Sequence, residues 1–154
     1  MFKKIVVGLD GSEQAERTLP YAAELARRDG ADVVLVHVEE DTIGKGGGSL
    51  NANEDEVRAK IDGHASSLSE QGIEASVRTA SVMLGGPAPS IVKFADEEGA
   101  DLIVVGSRGL SALGGVLLGS VAQRLLHLAK QPVLVVTPEA RLAESPVQPQ
   151  AATA

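Results

Sequence analysis

Five short runs of β-branched and apolar residues alternate with stretches of helical periodicity, and this order limits the fold more than any other feature. The runs cover residues 3–9, 32–39, 74–79, 101–106 and 132–137. Such alternation predicts a parallel sheet whose strands are joined by right-handed helical crossovers. With 154 residues, the chain is long enough for one such α/β domain and too short for two.

Four helical stretches are predicted between the strands. Their bounds are residues 12–30, 53–72, 87–99 and 120–130. Ser12, Asn53 and Ser120 are the expected N-caps, and Glu56 is placed to complete a capping box with Asn53. Pro20 lies inside the first pattern, where a proline is expected to bend the helix.

Two segments lie outside this scheme. Residues 41–52 are rich in glycine and predict a flexible loop, whose GKGGGS sequence resembles a phosphate loop only superficially. Residues 139–154 contain Pro146 and Pro149 and predict a disordered tail. The folded domain is therefore expected to span residues 1–138.

The composition excludes several classes of protein. Cysteine is absent, which rules out disulfides, thiolate metal sites and cysteine nucleophiles. The longest apolar runs have about five residues, far below the roughly 20 that span a bilayer. No signal peptide follows Lys3 and Lys4, so we expect a cytoplasmic protein without membrane contact. The net charge of −7 argues against general affinity for nucleic acid, which needs clustered lysine and arginine.

A glycine-rich segment, GSRGLSALGGVLLGS at residues 106–120, connects the fourth predicted strand to the last helix. Phosphate groups bind at such connections, because free backbone N–H groups and the positive end of the helix dipole meet there. The spacing is not that of a Walker A loop, since no lysine stands beside Ser120, nor that of the common dinucleotide-binding motif. The segment therefore predicts a phosphate site of another type.

The end of the first strand supplies a second group of candidate residues. Ligands of open parallel sheets bind beyond the carboxyl ends of the strands, where the winding reverses. If the first and fourth strands are neighbours, Asp10 and Ser12 face the same crevice as the loop that begins at Gly106. Asp10 could then accept hydrogen bonds from a ribose or help to hold a phosphate-bound cation. The alternative is that Asp10-Gly11 is only a turn and Ser12 only a helix cap.

The spacing of Gly106, Gly109, Gly119 and Ser120 resembles the signature of the universal stress protein family, in its nucleotide-binding branch. The opening KKIVVGLDGSEQAERTL, the strand VVLVHV and the segments GADLIVVGSRG and PVLVV agree with it. The resemblance covers residues 3–137. It implies a Rossmann-like fold of the adenine nucleotide α hydrolase type, with an open parallel five-stranded sheet in the order 3-2-1-4-5 and helices on both faces.

The resemblance also implies roles for individual residues. Gly106 and Gly109 would lie against the phosphates and ribose, and Gly119, Ser120 and Val121 would hold the β and γ phosphates. Asp10 would lie near the ribose, while Val38 would line the adenine pocket beside Gly8 and Leu9. The full predicted set of nucleotide-binding residues is Gly8, Leu9, Asp10, Ser12, Val38, Val105, Gly106, Arg108, Gly109, Gly119, Ser120 and Val121. The implied ligand is ATP, with Mg²⁺ held mainly by its phosphates.

Five arginine and histidine positions have weaker assignments. Arg108 can touch a phosphate from within the loop or remain a solvated charge. Arg124 can point to solvent or to a partner subunit. His37 lies in an apolar strand, which is typical of a hydrogen-bonded core imidazole. His64 and His127 show no metal-ligand spacing, and no intrinsic metal site is expected.

The implied topology leaves the last strand, Val133–Val136, on an open edge of the sheet. An apolar edge favours pairing with another strand, so we expect a homodimer formed by antiparallel pairing of two copies. The resulting hypothesis is an ATP-dependent regulatory stress protein that acts on a client protein. The alternatives are a slow ATPase or self-phosphorylating enzyme with Ser120 or Ser107 as acceptor, for which no general base is evident, and a binder of AMP or cyclic AMP.

Overall fold

The structure, a computed structural model, describes residues 1–39, 50–107 and 118–142, with the backbone alone for residues 50–52. Five strands alternate with helices as the sequence predicts. The elements are β1 (Lys4–Leu9), α1 (Glu13–Glu16), α2 (Leu19–Asp29), β2 (Asp32–Glu39), α3 (Leu50–Glu70), β3 (Ala75–Ser81), α4 (Pro87–Glu98), β4 (Leu102–Gly106), α5 (Ser120–Leu128) and β5 (Val133–Val136).

The five strands form one parallel sheet in the order β3-β2-β1-β4-β5, which confirms the predicted topology. Consecutive strands move outward from β1 to β3 and then resume on the other side with β4 and β5. The winding therefore reverses between β1 and β4. These two strands pair in register, with Val7 opposite Val104.

Two apolar layers cover the faces of the sheet. One layer packs α1, α2 and α3 on alternate residues of the central strands, among them Val7, Leu35 and Val104. The other packs α4 and α5 on the intervening residues, such as Val6 and Ile103. Burial on both faces explains why β1, β2 and β4 are apolar almost throughout rather than alternating with polar residues.

The first predicted helix is two helices. Residues 12–30 were expected to form one helix bent at Pro20, but α1 ends at Glu16 and α2 begins at Leu19. Proline lacks the N–H that a continuous helix would need at position 20, so it occupies the first turn of α2 instead. Thr18 is buried at the junction, and its hydroxyl donates to the Ala15 carbonyl.

The start of α3 differs from the prediction. The helix begins at Leu50, so the predicted capping box of Asn53 and Glu56 is wrong, and the predicted loop at residues 41–52 is wrong for residues 50–52. Residues 41–49 and 143–154 lie outside the described part of the chain. Glu54 contacts His37 of β2, and Val57 packs beside Gly11 in the turn after β1. These tertiary contacts stabilise this part of α3, and the sequence alone does not reveal them.

Three further bounds need correction. The N-cap of α5 is Gly119, and Ser120 is its first helical residue rather than the cap. The helix ends at Leu128 instead of about Lys130. β3 continues to Ser81, beyond the predicted end at Thr79, because it pairs with β2 as far as Glu39.

Asp101 ties the beginning of β1 to the beginning of β4. Its Oδ2 accepts hydrogen bonds from the Lys3 N–H at 2.6 Å and the Lys4 N–H at 2.9 Å. These two bonds lower the pKa of the Asp101 carboxyl below its usual value. The stabilisation is therefore present above the pKa of an unfolded aspartate, about 3.9, and is lost as the pH falls through the lower pKa of the folded protein.

Asp101→Asn is expected to lower the free energy of unfolding by about 1 kcal/mol at pH 7, because charge-assisted bonds become neutral ones. Urea unfolding of both proteins at neutral and acidic pH measures this. The difference between the two proteins should shrink in acid. Asp62→Asn, at an exposed position of α3, is the matched control and should change little. A loss independent of pH would contradict the assignment.

Candidate functional site

The turn after β1 is organised by Asp10 and Ser12. Asp10 Oδ1 accepts hydrogen bonds from the Ser12 N–H at 2.9 Å and the Ser12 hydroxyl at 2.5 Å. Ser12 Oγ in turn accepts from the Ala15 N–H at 3.2 Å, so Ser12 is the N-cap of α1 as predicted. Both structural roles that the sequence offered as an alternative to ligand binding are therefore real, and they fix the Asp10 carboxylate at the carboxyl end of β1.

Gly11 allows this turn to form under α3. Its φ of +83° lies in the left-handed region that favours glycine. A Cβ atom at this position would come within 2.9 Å of Val57 Cγ2 on α3. The turn is therefore pressed against α3, and both its conformation and its surroundings require glycine.

Gly8 and Val38 lie on the face of the sheet that α4 and α5 cover. A Cβ atom on Gly8 would lie 3.1 Å from Val105 Cγ1 and 3.2 Å from Ile91 Cδ1, so apolar side chains fill the space beside Gly8. Val38 is buried in the same layer. Leu9 belongs to the opposite layer, and its carbonyl oxygen accepts a hydrogen bond from His37. Leu9 and Val38 therefore lie on different faces of the sheet.

The connection from β4 to α5 is held at both of its ends. The Ser107 N–H donates to the Val136 carbonyl at 2.9 Å, and the Gly119 N–H donates to the Ser107 carbonyl at 2.6 Å. The second bond brings the beginning of α5 next to the carboxyl end of β4. Arg108 and Gly109, which the sequence places in the phosphate loop, lie outside the described residues.

Among the described residues, the backbone N–H groups of Ser120 and Val121 in the first turn of α5 have no hydrogen-bond acceptor. Gly119 caps the helix with an extended backbone, φ −70° and ψ 161°, and contributes no side-chain bond to the first turn. Ser120 is exposed and Val121 is half-buried. The N–H groups of a first helical turn have no partners within the helix, so this turn can donate to an anion at the carboxyl edge of the sheet.

Some of the predicted residues lie at the same edge of the sheet, beside the place where the winding reverses. β1 brings Asp10 and β4 brings Gly106 to the same edge, because the two strands pair directly. Gly119, Ser120 and Val121 join them through the bond between Gly119 and Ser107. This edge of the sheet therefore carries the Asp10 carboxylate and the N-terminus of α5.

Sequence reasoning missed two features of this region. Ser107 is buried, and its hydroxyl has no hydrogen-bond partner over the residues that the structure describes. Glu54 reaches His37 from α3. A serine directly after a strand was visible in the sequence, but its burial depends on the packing of β4 between β1 and β5.

The histidines and the arginine singled out in the sequence make contacts within the fold, as far as the structure describes them. His37 is a buried, hydrogen-bonded core imidazole, as predicted. The Arg124 guanidinium lies against Gly85 in the turn between β3 and α4, with Nη2 2.9 Å from the place of a Cβ atom. His64 faces Glu16, and no cluster of three or more potential metal ligands occurs within the described ranges. No helix described here is long and apolar enough to cross a membrane.

The order of the strands defines a doubly wound α/β protein with a helix N-terminus at its switch point. A sequence profile of the universal stress protein family matches residues 1–137. The chain therefore belongs to the universal stress protein family. It is 33% identical to universal stress protein YxiE of Bacillus subtilis over 147 residues, which covers 88% of this chain and 99% of the relative.

Solved structures agree with this membership. The structure of MJ0577, a universal stress protein of Methanocaldococcus jannaschii, superposes with a TM-score of 0.72 at 30% identity and covers 92% of this chain and 99% of its own. A universal stress protein from Archaeoglobus fulgidus in complex with dAMP has a TM-score of 0.64 at 30% identity, covering 86% and 96%. Another, in complex with cAMP, has a TM-score of 0.64 at 28% identity, covering 88% and 96%.

Proposed function

We propose that this protein binds ATP in the crevice between β1, β4 and α5 and acts as a nucleotide-dependent regulatory module of the stress response. One observation carries the proposal. The carboxylate at the end of β1 and the N-terminus of α5 both lie at the carboxyl edge of the sheet, beside the point where its winding reverses. That is the place where open parallel sheets bind their ligands.

Different residues of the site would bind different parts of the nucleotide. The N–H groups of Ser120 and Val121 would bind the terminal phosphates, because the helix N-terminus attracts negative charge. Gly119, whose own N–H donates to the Ser107 carbonyl, would leave room for the phosphates beside them. Asp10 would accept from the ribose hydroxyls. Val38, beside the small Gly8, offers an apolar surface to the adenine ring. Leu9, whose side chain lies on the other face, would contribute through its main chain.

Several predicted residues complete the proposed site. Ser12 would orient Asp10, Val105 would form the apolar wall, and Gly106 would admit a phosphate or ribose close to the backbone. Arg108 and Gly109 remain proposed ligand contacts of the phosphate loop. Mg²⁺ would arrive with ATP and be coordinated mainly by phosphate oxygens.

The ligands of related structures support an adenine nucleotide and leave its phosphate count open. The complexes with dAMP and cAMP hold adenine with a single phosphate. The helix N-terminus at Gly119 and the exposed Ser120 favour a longer phosphate chain, which is why we propose ATP. We also propose a cytoplasmic location.

A catalytic role has less support. A hydrolytic or self-phosphorylating enzyme needs a group that takes a proton from the nucleophile. Asp10 is the carboxylate of the proposed site, and its Oδ1 already accepts two hydrogen bonds from Ser12. We therefore propose at most a weak ATPase activity.

Mass identification of nucleotide retained by the purified protein tests the ligand directly. ATP is the expected species, and competition with AMP and cAMP should show weaker displacement. Retention of a monophosphate in preference to ATP would redirect the proposal to another adenine nucleotide. Phosphate release faster than about one turnover per minute, well below the usual enzyme range, would favour the enzyme instead.

We also propose a homodimer that pairs two copies of β5. This strand forms one edge of the sheet over the described residues. The carbonyls of Pro132 and Val136 accept from Ile103 of β4 and from Ser107, which directly follows β4. Alternate residues of a strand direct their main-chain groups to opposite sides, so the N–H and C=O groups of Val133 and Val135 face the open edge and are available to a second copy.

Val135→Pro is expected to convert the dimer into a monomer at micromolar concentration. Proline removes one outward N–H without removing a bond to β4, and edge strands tolerate it. Sedimentation velocity of the wild-type and variant proteins measures the change. Val135→Thr keeps the N–H and should remain dimeric. A monomeric wild type would contradict the proposed interface.

A further inference from the structure

The two edges of the sheet differ in how their main-chain groups are protected. Over the described residues, β3 forms one edge and β5 the other. Main-chain groups that point away from the sheet at an edge are a template for another strand. A protomer that paired with further copies at both edges would form an assembly that does not close.

The hydrogen bonds between β2 and β3 show which groups of β3 point outward. The Val33 N–H donates to the Glu74 carbonyl, and the Val82 N–H donates to the Glu39 carbonyl. Alternate residues of a strand direct their main-chain groups to opposite sides. The even-numbered residues from 74 to 82 therefore face β2. The outward groups belong to the odd-numbered residues, which are Ala75, Val77, Thr79 and Ser81.

Arg78 uses one of the outward carbonyls of β3. Its Nη1 donates to the Val77 carbonyl at 3.1 Å. Because this carbonyl points away from β2, the bond occupies an acceptor that an added strand would need. The guanidinium therefore lies at the outer side of β3, in the middle of its seven residues.

Glu98 holds the guanidinium in this place. Arg78 Nε donates to Glu98 Oε1 at 2.7 Å, and the Glu98 side chain is only 18% accessible. Lys4 Nζ lies 3.5 Å from the other carboxylate oxygen. Glu98 is the last residue of α4, a helix that packs on the sheet. A strand that approached β3 would have to break the bond to Val77 and would meet a positive charge, a common means of protecting an edge.

The edge at β5 has no such protection in the described part of the chain. Its outward main-chain groups are those of Val133 and Val135, and no described side chain bonds to them. The side chains of this strand are valine and leucine throughout. One edge is therefore covered by a charged side chain and the other is open.

We propose that Arg78 closes the β3 edge to a second copy of this chain. Copies then pair through β5 alone, and assembly stops at the dimer. This closure does not involve the nucleotide site. Only the size of the wild-type assembly depends on the proposed β5 interface.

Arg78→Thr removes the guanidinium from the Val77 carbonyl and keeps a residue that suits a strand. Sedimentation velocity from low to high micromolar concentration measures the assembly. The variant is expected to reach a weight-average mass about twice that of wild type or more, because both edges can then pair. Arg27→Thr removes a similarly exposed arginine from α2 and should sediment as wild type. Wild-type sedimentation of Arg78→Thr at every concentration would overturn the closure.

A second substitution separates edge pairing from unspecific aggregation. The Thr79 N–H points outward, so Thr79→Pro removes no bond to β2 and blocks the edge again. Arg78→Thr combined with Thr79→Pro is expected to return to the wild-type assembly. Arg78→Thr combined with Val135→Pro should form dimers through β3, whereas Val135→Pro alone should be monomeric. Large species that persist in the variant with Thr79→Pro would place the contact elsewhere and overturn the proposal.

Amide hydrogen exchange of the wild-type protein tests the two edges without any variant. Exchange at Val133 and Val135 should slow as the concentration rises, while Val77 and Thr79 keep exchanging fast. Slow exchange at Val77 and Thr79 that depends on concentration would overturn the proposal, even if Arg78→Thr fails to fold. A monomeric wild type would remove the β5 interface alone. Arg78→Thr should then become a dimer, and a monomeric variant would overturn the closure.

Discussion

Gly119→Val is expected to weaken ATP binding by about 100-fold or more and to leave the fold intact. Gly119 has φ −70° and ψ 161°, an extended conformation that any residue adopts. Glycine is therefore not needed here for the backbone. Its value lies in the absence of a side chain at the beginning of α5, where a phosphate must come close to the first N–H groups.

The stability of this variant separates binding from folding. Valine is a poor N-cap, and its cost relative to glycine is about 1 kcal/mol. Calorimetric titration with Mg-ATP and a thermal melt of the same samples measure the two effects. Gly63→Val is the matched control, because a Cβ atom at this position of α3 meets nothing within 4 Å. Unchanged affinity in Gly119→Val would remove the N-terminus of α5 from the site.

Gly11→Ala is expected to destabilise the protein by about 2–4 kcal/mol. Two costs add at this position. A non-glycine residue at φ +83° is strained by about 1–3 kcal/mol. The new Cβ would also lie 2.9 Å from Val57 Cγ2, and overpacking of this kind costs typically 1–3 kcal/mol. Denaturation by urea measures the loss.

Gly30→Ala isolates the second cost. Gly30 has φ +69°, but a Cβ atom there meets nothing within 4 Å. Its replacement should cost about 1 kcal/mol from conformation alone. The double variant Gly11→Ala with Val57→Ala should recover part of the loss, because the two positions are in contact. Equal losses at Gly11 and Gly30 would contradict the packing of α3 on the turn.

The sheet was predictable because its strands are short, apolar and separated by helical patterns. The boundaries around Pro20 and Asn53 were not, for different reasons. A proline in the first turn of a new helix and a proline that bends a continuous helix follow the same apolar periodicity. The early start of α3 depends on the contact of Glu54 with His37, which joins residues far apart in the sequence.

Part of the candidate site was likewise predictable from the sequence, and part was not. Spacing alone directed attention to the ends of β1 and β4, and the pairing of these strands brings them together. The reasons for individual glycines were hidden, since they depend on tertiary neighbours. Gly8 faces Val105 and Ile91, and Gly11 faces Val57. The packing of these neighbours therefore requires a small residue at both positions, whether or not a ligand also does.

A crystal structure of the protein grown with Mg-ATP tests the central proposal most directly. We expect the triphosphate to accept hydrogen bonds from the first N–H groups of α5, with the ribose beside Asp10 and the adenine ring against Val38. Density for the nucleotide at another place, or a crevice without nucleotide at saturating ATP, would contradict the proposed function.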